Sequence, residues 1–202
     1  MTRQAVAAPE ATVAGPPLER GFFDRPPREV AAGLIGCTLL HDGIGGTIVE
    51  TEAYERDDPA CHAFGGPTAR NAPLFGPPGM TYVYLCYGIH SMFNLVTGSE
   101  GTAAAVLVRA LEPTAGIDVM RERRAASDPR ALCSGPGKIC EALAIELTQT
   151  GADALAAPFR VLGAGPGERE VVAGPRIGLT KAAEYPWRYC LAGSPFLSRP
   201  AG

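Results

Sequence analysis

Lysine is nearly missing from this chain. Sixteen of its eighteen basic residues are arginine, and Lys138 and Lys181 carry the only side-chain amines. Schiff-base chemistry normally needs an amine, and among side chains it has only these two candidates. No stretch approaches the ~20 consecutive apolar residues of a membrane span. The first twenty residues are rich in Ala and Pro and lack a basic start, a useful apolar run and a cleavage-like site, so they do not read as a signal peptide. They are expected to form a disordered tail (1–20), leaving residues 21–202 as one domain. No Cys-x-x-Cys occurs, and Cys37, Cys61, Cys86, Cys133, Cys140 and Cys190 are expected to be reduced thiols of a cytoplasmic protein. Cys61-His62 is an adjacent pair of metal-capable residues, but neighbouring side chains diverge and no second paired cluster exists, so no metal or other cofactor is expected.

At 202 residues, 46% hydrophobic and 19% charged, the chain can bury one substantial core and is too short for two. The net charge of −3 argues against broad nucleic-acid affinity, but the charge is uneven. Residues 1–100 hold 6 Lys+Arg against 11 Asp+Glu, whereas residues 101–202 hold 12 against 10, which leaves room for a local basic face.

Four of the six tyrosines lie between residues 54 and 87, a stretch that follows directly on Glu52, carries His62 and leads into Asn94. A carboxylate ringed by aromatic faces suits the gripping and hydrolysis of something flat. The β-former run from Gly46 to Tyr54 follows a Gly-rich turn, and a period of two puts Ile48, Glu50, Glu52 and Tyr54 on one face. In the run from Thr81 to Gly88 the same period sends Tyr82 and Tyr84 to one side and Val83, Leu85 and Tyr87 to the other. Tyr84 can then line a pocket while Tyr87 projects from a hairpin tip, with Gly88 available for the turn.

The rest of the pattern predicts a helix near 25–35 capped by Asp24, and a hairpin from residues 37–41 and 47–54. Strands follow over 81–87, 92–97 and 103–110, a meander that carries Asn94 and Arg109. Helices are expected after Pro113 to Arg124 and after Ser134 to Ile145, with short strands over 171–199 and a long loop over 55–80. Ser134 is read as an N-cap. The exposed N–H groups there, with Lys138, suit either a phosphate or a structural cap. Taken alone, Glu52 is equally well a solvated edge residue, His62 a satisfied loop histidine and Asn94 a backbone-bonded strand residue. Arg109 on an apolar strand calls for a buried partner, because an unpaired buried guanidinium is costly.

Seven blocks in order carry a resemblance across most of residues 21–199. They are Ile48-Val-Glu-Thr-Glu-Ala-Tyr54, Tyr82-Val-Tyr84 with Tyr87-Gly88, Met92-Phe-Asn94, Val108-Arg-Ala-Leu-Glu-Pro113, Leu132-Cys-Ser-Gly-Pro-Gly-Lys138, Arg176-Ile-Gly178 and Gly193-Ser-Pro195. Together they closely resemble the 3-methyladenine (alkyladenine) DNA glycosylase family.

The resemblance implies a monofunctional base-excision repair enzyme that flips alkylated or deaminated purines out of duplex DNA and hydrolyses the N-glycosidic bond. It implies Glu52 as general base, with Arg109 and the backbone carbonyl of Ile177 helping to hold the water. It implies a base pocket of Tyr54, His62, Tyr84 and Asn94, with Tyr87 as the wedge left in the duplex. DNA-backbone contacts are expected at Arg70, Lys138 and Arg176, and the working place would be the nucleoid. A monomer is the default expectation. The fold expected is α+β: a single mixed domain with a curved, mainly antiparallel sheet, surrounding helices and a protruding hairpin. A silent damage-binding protein is the alternative, and a hydrolase of free nucleosides a weaker one.

Overall fold

The run of β-formers around Glu50 and Glu52 becomes β2 (Ile44–Tyr54) in the computed structural model, which describes residues 15–201. Along one edge β2 pairs with β5 (Ala104–Ala115). Along the other it pairs first with β1 (Thr38–His41) and then, over Glu50 to Glu52, with β8 (Arg188–Leu191). The sheet therefore forks at β2. Beyond β5 lie β4 (His90–Thr97) and β3 (Thr81–Cys86), β6 (Phe159–Leu162) flanks β1, and β7 (Val171–Gly174) flanks β8. All these pairings are antiparallel.

Among the described residues, five α-helices accompany this curled sheet: α1 (Arg20–Phe23), α2 (Pro27–Leu34), α3 (Ile117–Arg124), α4 (Pro129–Leu132) and α5 (Pro136–Leu143). The architecture is the mixed α+β domain expected. The strand period divides its two faces. Val83, Phe93, Leu95, Val106 and Val108 pack with Val30, Leu34, Ile139 and Leu143 of α2 and α5 in the main core. Tyr82, Val96 and Ala105, from alternate positions of the same strands, join Tyr54, Tyr84 and Leu74 in a smaller cluster on the opposite face.

Several local expectations are corrected. Residues 1–14 of the expected tail lie outside the described residues. Residue 17 bridges to Leu162, and the Gly15 and Leu18 N–H groups donate to Gly163 and Val161, so the sheet begins earlier than expected. The N-cap of α2 is Pro26 rather than Asp24, whose carboxylate instead accepts from Ser99. At α5 the N-cap is Gly135, and Ser134 Oγ accepts from Lys138 Nζ at 3.1 Å. β5 does not stop at Ala110 but runs through Pro113 to Ala115; Pro113 sits opposite Gly46 where the register shifts, a place where its missing N–H is tolerated. Gly46 is needed there, because a Cβ would lie 1.9 Å from the Glu112 carbonyl oxygen.

Candidate active site

Two β-bulges aim the charged groups. Ile48 pairs with Leu111, Glu50 with Ala110 and Thr51 with Val108, which leaves Val49 unpaired on β2 and Arg109 unpaired on β5. Each strand gains one residue, so the register recovers while the facing pattern changes phase. The expectation that Ile48 shares a face with Glu50, Glu52 and Tyr54 fails for this reason. Ile48 joins the helix-facing core with Ala53, and Thr51 Oγ1 donates to the Ala31 carbonyl of α2.

Beyond Val49, Glu50 and Glu52 both face the guanidinium of Arg109. Nε donates to Glu50 Oε1 at 3.2 Å and Nη1 to Glu52 Oε2 at 3.1 Å. Burial works against the Arg109 charge, but the fields of Glu52 and Glu50 more than offset it and raise its pKa above the ordinary value. Glu52 is 0% exposed and accepts two further hydrogen bonds, from Tyr54 Oη at 2.8 Å and from the Ile177 N–H at 2.7 Å. Ile177 thus meets the carboxylate through its N–H, a contact distinct from the water-holding role expected of its carbonyl.

Tyr54 joins this carboxylate to a cavity of about 110 Å³ lined by Tyr54, His62, Tyr82, Tyr84, Asn94 and Leu179, among others. Glu52 does not itself line it. The walls are aromatic: Tyr82 and Tyr84 stack at 5.5 Å, and His62 meets Tyr84 edge-on at 4.4 Å. His62 Nδ1 lies 3.0 Å from Tyr82 Oη. Desolvation, with Arg70 nearby, lowers the His62 pKa below the usual imidazole value, so the ring is neutral at pH 7. Burial, reinforced by Glu52, pushes the Tyr54 phenol well up, which keeps it a donor. Asn94 spends its Nδ2 on the carbonyls of Tyr82, at 3.0 Å, and Met92, at 3.3 Å.

The hairpin projects as expected. Tyr87 is 91% exposed at its tip, and both Tyr87 and Gly88 have positive φ (51° and 71°), the combination a type I′ turn requires, with the Ile89 N–H closing onto the Cys86 carbonyl at 3.1 Å. Arg70 is exposed, with its guanidinium 5.8 Å from the Tyr84 ring centre and Nη2 donating to the Leu85 carbonyl. Lys138 is half-buried at the start of α5.

Arg176 is a correction. It is 4% exposed, and Asp58 engages both terminal nitrogens of its guanidinium, which lies 4.7 Å from the Tyr54 ring centre and 5.1 Å from that of Trp187. A side chain so enclosed has no free face for a phosphate and instead backs the wall that Tyr54 forms.

Some contributors carried too little sequence signal to be singled out. Tyr82 was assigned the right face but no role. Asn71 organises the loop by donating to the His62 and Gly66 carbonyls and accepting from the Thr68 N–H. Asp58 looked like one acid among several. Their roles depend on partners brought in by folding.

The methylpurine-DNA glycosylase family model matches residues 21–195. A protein of Rhodopseudomonas palustris strain HaA2 named "Putative 3-methyladenine DNA glycosylase" is 54% identical over 200 residues, covering 99% of each chain. Proteins of the same name from R. palustris strain BisB18 and Bradyrhizobium diazoefficiens are each 56% identical, covering 95% and 92% of this chain and 96% and 92% of their own. A family match across most of the chain, joined to relatives that align nearly end to end, means that this chain belongs to the methylpurine-DNA glycosylase family.

Proposed function

We propose that the protein excises alkylated purines such as 3-methyladenine and 7-methylguanine from duplex DNA by hydrolysing the N-glycosidic bond, leaving an abasic site. The observation that carries this is the Tyr54 hydroxyl, which joins a flat-walled aromatic cavity to the buried carboxylate of Glu52. A flipped base must recover the stacking it leaves behind, and aromatic walls return roughly 1–3 kcal/mol per base. Tyr54, His62 and Tyr84 supply those walls. A methylated cationic purine gains further from the ring faces, and the neutral His62 does not repel it. Asn94, pinned by its two backbone bonds, is the group against which the exocyclic amine of ordinary guanine is tested.

Cleavage develops positive charge on the sugar. Glu52 offsets that charge and takes a proton from the attacking water, and Arg109 helps hold the water. A cationic purine leaves without protonation, whereas hypoxanthine or ethenoadenine needs a proton supplied. Tyr87 enters the duplex where the nucleotide left. Lys138 and Arg70 serve the DNA backbone. Neither Lys138 nor Lys181 lines the cavity, which supports hydrolysis by water over a lysine Schiff base and strand nicking.

The test is release of free base from methylated duplex DNA, with Glu52→Gln as control. The reading expects release by the wild type alone and lesion binding by both. Binding without release by the wild type would make the protein a silent damage binder. A borohydride-trapped adduct would refute the absence of a lyase step.

A further inference from the structure

The opposite side of Arg109 from Glu52 is built with unusual care. Glu50 is 0% exposed, and its carboxylate takes four donors from three parts of the chain. Oε1 accepts from Arg109 Nε, from Arg188 Nε at 2.7 Å and from Ser198 Oγ at 2.8 Å, while Oε2 accepts from the Ser198 N–H at 2.6 Å. Arg188, 5% exposed on β8, uses its other nitrogens on the Arg199 carbonyl at 2.6 Å and the Pro200 carbonyl at 3.2 Å. Two carboxylates, Glu50 and Glu52, and two guanidiniums, Arg109 and Arg188, thus lie together with their charges matched. The last described turn of chain closes one side of the group.

We propose that residues 198–200 act in the site: through Arg188 and Glu50 they hold the guanidinium of Arg109 in the orientation that presents Nη1 to Glu52. Glu50, Arg188 and Ser198 are positioning residues in this arrangement. Glu50 alone would be a mobile acceptor that draws Arg109 with it. Saturated by Arg188 and Ser198, it becomes a fixed anchor for Nε. A planar guanidinium anchored at Nε has its remaining donors aimed by its own geometry. Among the described residues Arg109 Nη2 has no protein partner, so the same anchoring decides where that last donor points.

This inference rests on the glycosylase reading and is tested in the full-length protein by single-turnover excision from methylated duplex. The amplitude reports the fraction of intact sites, and the rate constant reports chemistry in each site. Ser198→Ala removes the hydroxyl donor and Ser198→Thr retains it. The rate constant of Ser198→Ala is expected to fall about tenfold, with lesion-duplex affinity within about threefold of wild type. Ser198→Thr is expected to stay close to wild type. Glu50→Gln is expected to lower the rate constant further, by roughly a hundredfold. A loss of amplitude with an unchanged rate constant would mean that the segment only stabilises the fold, and would overturn the proposal. So would an Ala variant as fast as the Thr variant. A wild-type protein that releases no base would overturn the glycosylase reading itself, an outcome separate from either of these.

Discussion

Tyr54 donates its hydroxyl to Glu52 Oε2 across 2.8 Å, so the residue that walls the cavity also holds the buried carboxylate. The two residues are one strand period apart on β2, beyond the bulge at Val49, which keeps their side chains on the same face. Aromatic surface and hydrogen bond can therefore be separated by substitution. Tyr54→Phe keeps the ring and removes one of the three residues that fix Glu52. Lesion binding is expected to stay within about threefold while excision slows about tenfold, and Tyr54→Ala should lose both. Duplex titration alongside single-turnover excision distinguishes these, and equal losses in the Phe variant would deny the hydroxyl a separate role.

At the hairpin tip, Tyr87 occupies left-handed backbone (φ 51°) that Asn adopts more readily, and it is 91% exposed. Tyr87→Asn should therefore raise stability by about 1 kcal/mol. Lesion-duplex affinity should fall about tenfold in the same variant, because the wedge is gone. Thermal melting and a binding titration read the two effects. Unchanged binding would remove the insertion role.

Burial, with Arg70 nearby, lowers the His62 pKa below its ordinary 6.5. Such a group favours the fold and the pocket in its neutral form. That contribution is fully present above pH 6.5 and is lost as the pH falls through the lowered value. Once charged, the ring would repel a cationic purine. Excision of 7-methylguanine should therefore hold steady from pH 7.5 to 6.5 and decline at lower pH, with His62→Gln flattening part of the acid limb. An identical limb in wild type and variant would assign the decline to another group.

The Asp58–Arg176 pair is enclosed, with both side chains 0% exposed. Asp58→Asn leaves the guanidinium buried without its counter-charge, which costs about 3–5 kcal/mol. Denaturant unfolding should show that loss, and the wall behind Tyr54 should loosen with it. A loss under about 1 kcal/mol would mean that water reaches Arg176 more easily than its burial indicates.

How much was legible in the sequence follows from the range of each interaction. The alternation in 81–87 separated Tyr82 and Tyr84 from Val83, and the structure puts the first two beside the cavity and Val83 in the core, because β3 pairs with β4 without a bulge and its faces follow from adjacent residues. The same locality made the Tyr87–Gly88 turn readable, and the ordered blocks pointed to the family. By contrast, the unpaired Val49 and Arg109 arise from how two strands 59 residues apart at Glu50 and Arg109 accommodate each other, and no local period encodes that.

Arg176 looked like a surface cation because its neighbours in sequence say nothing of Asp58, 118 residues away, or of the Tyr54 and Trp187 rings that enclose it. Glu50 was legible as a residue on the Glu52 face, but nothing local told of Arg188 and Ser198, which close over it from 138 and 148 residues away. The sequence by itself determined which residue types were present and, where a strand runs without a bulge, which faces they took. Tertiary structure decided which charges were buried and paired, since the pairing of a charge depends on residues that only folding brings within hydrogen-bond reach.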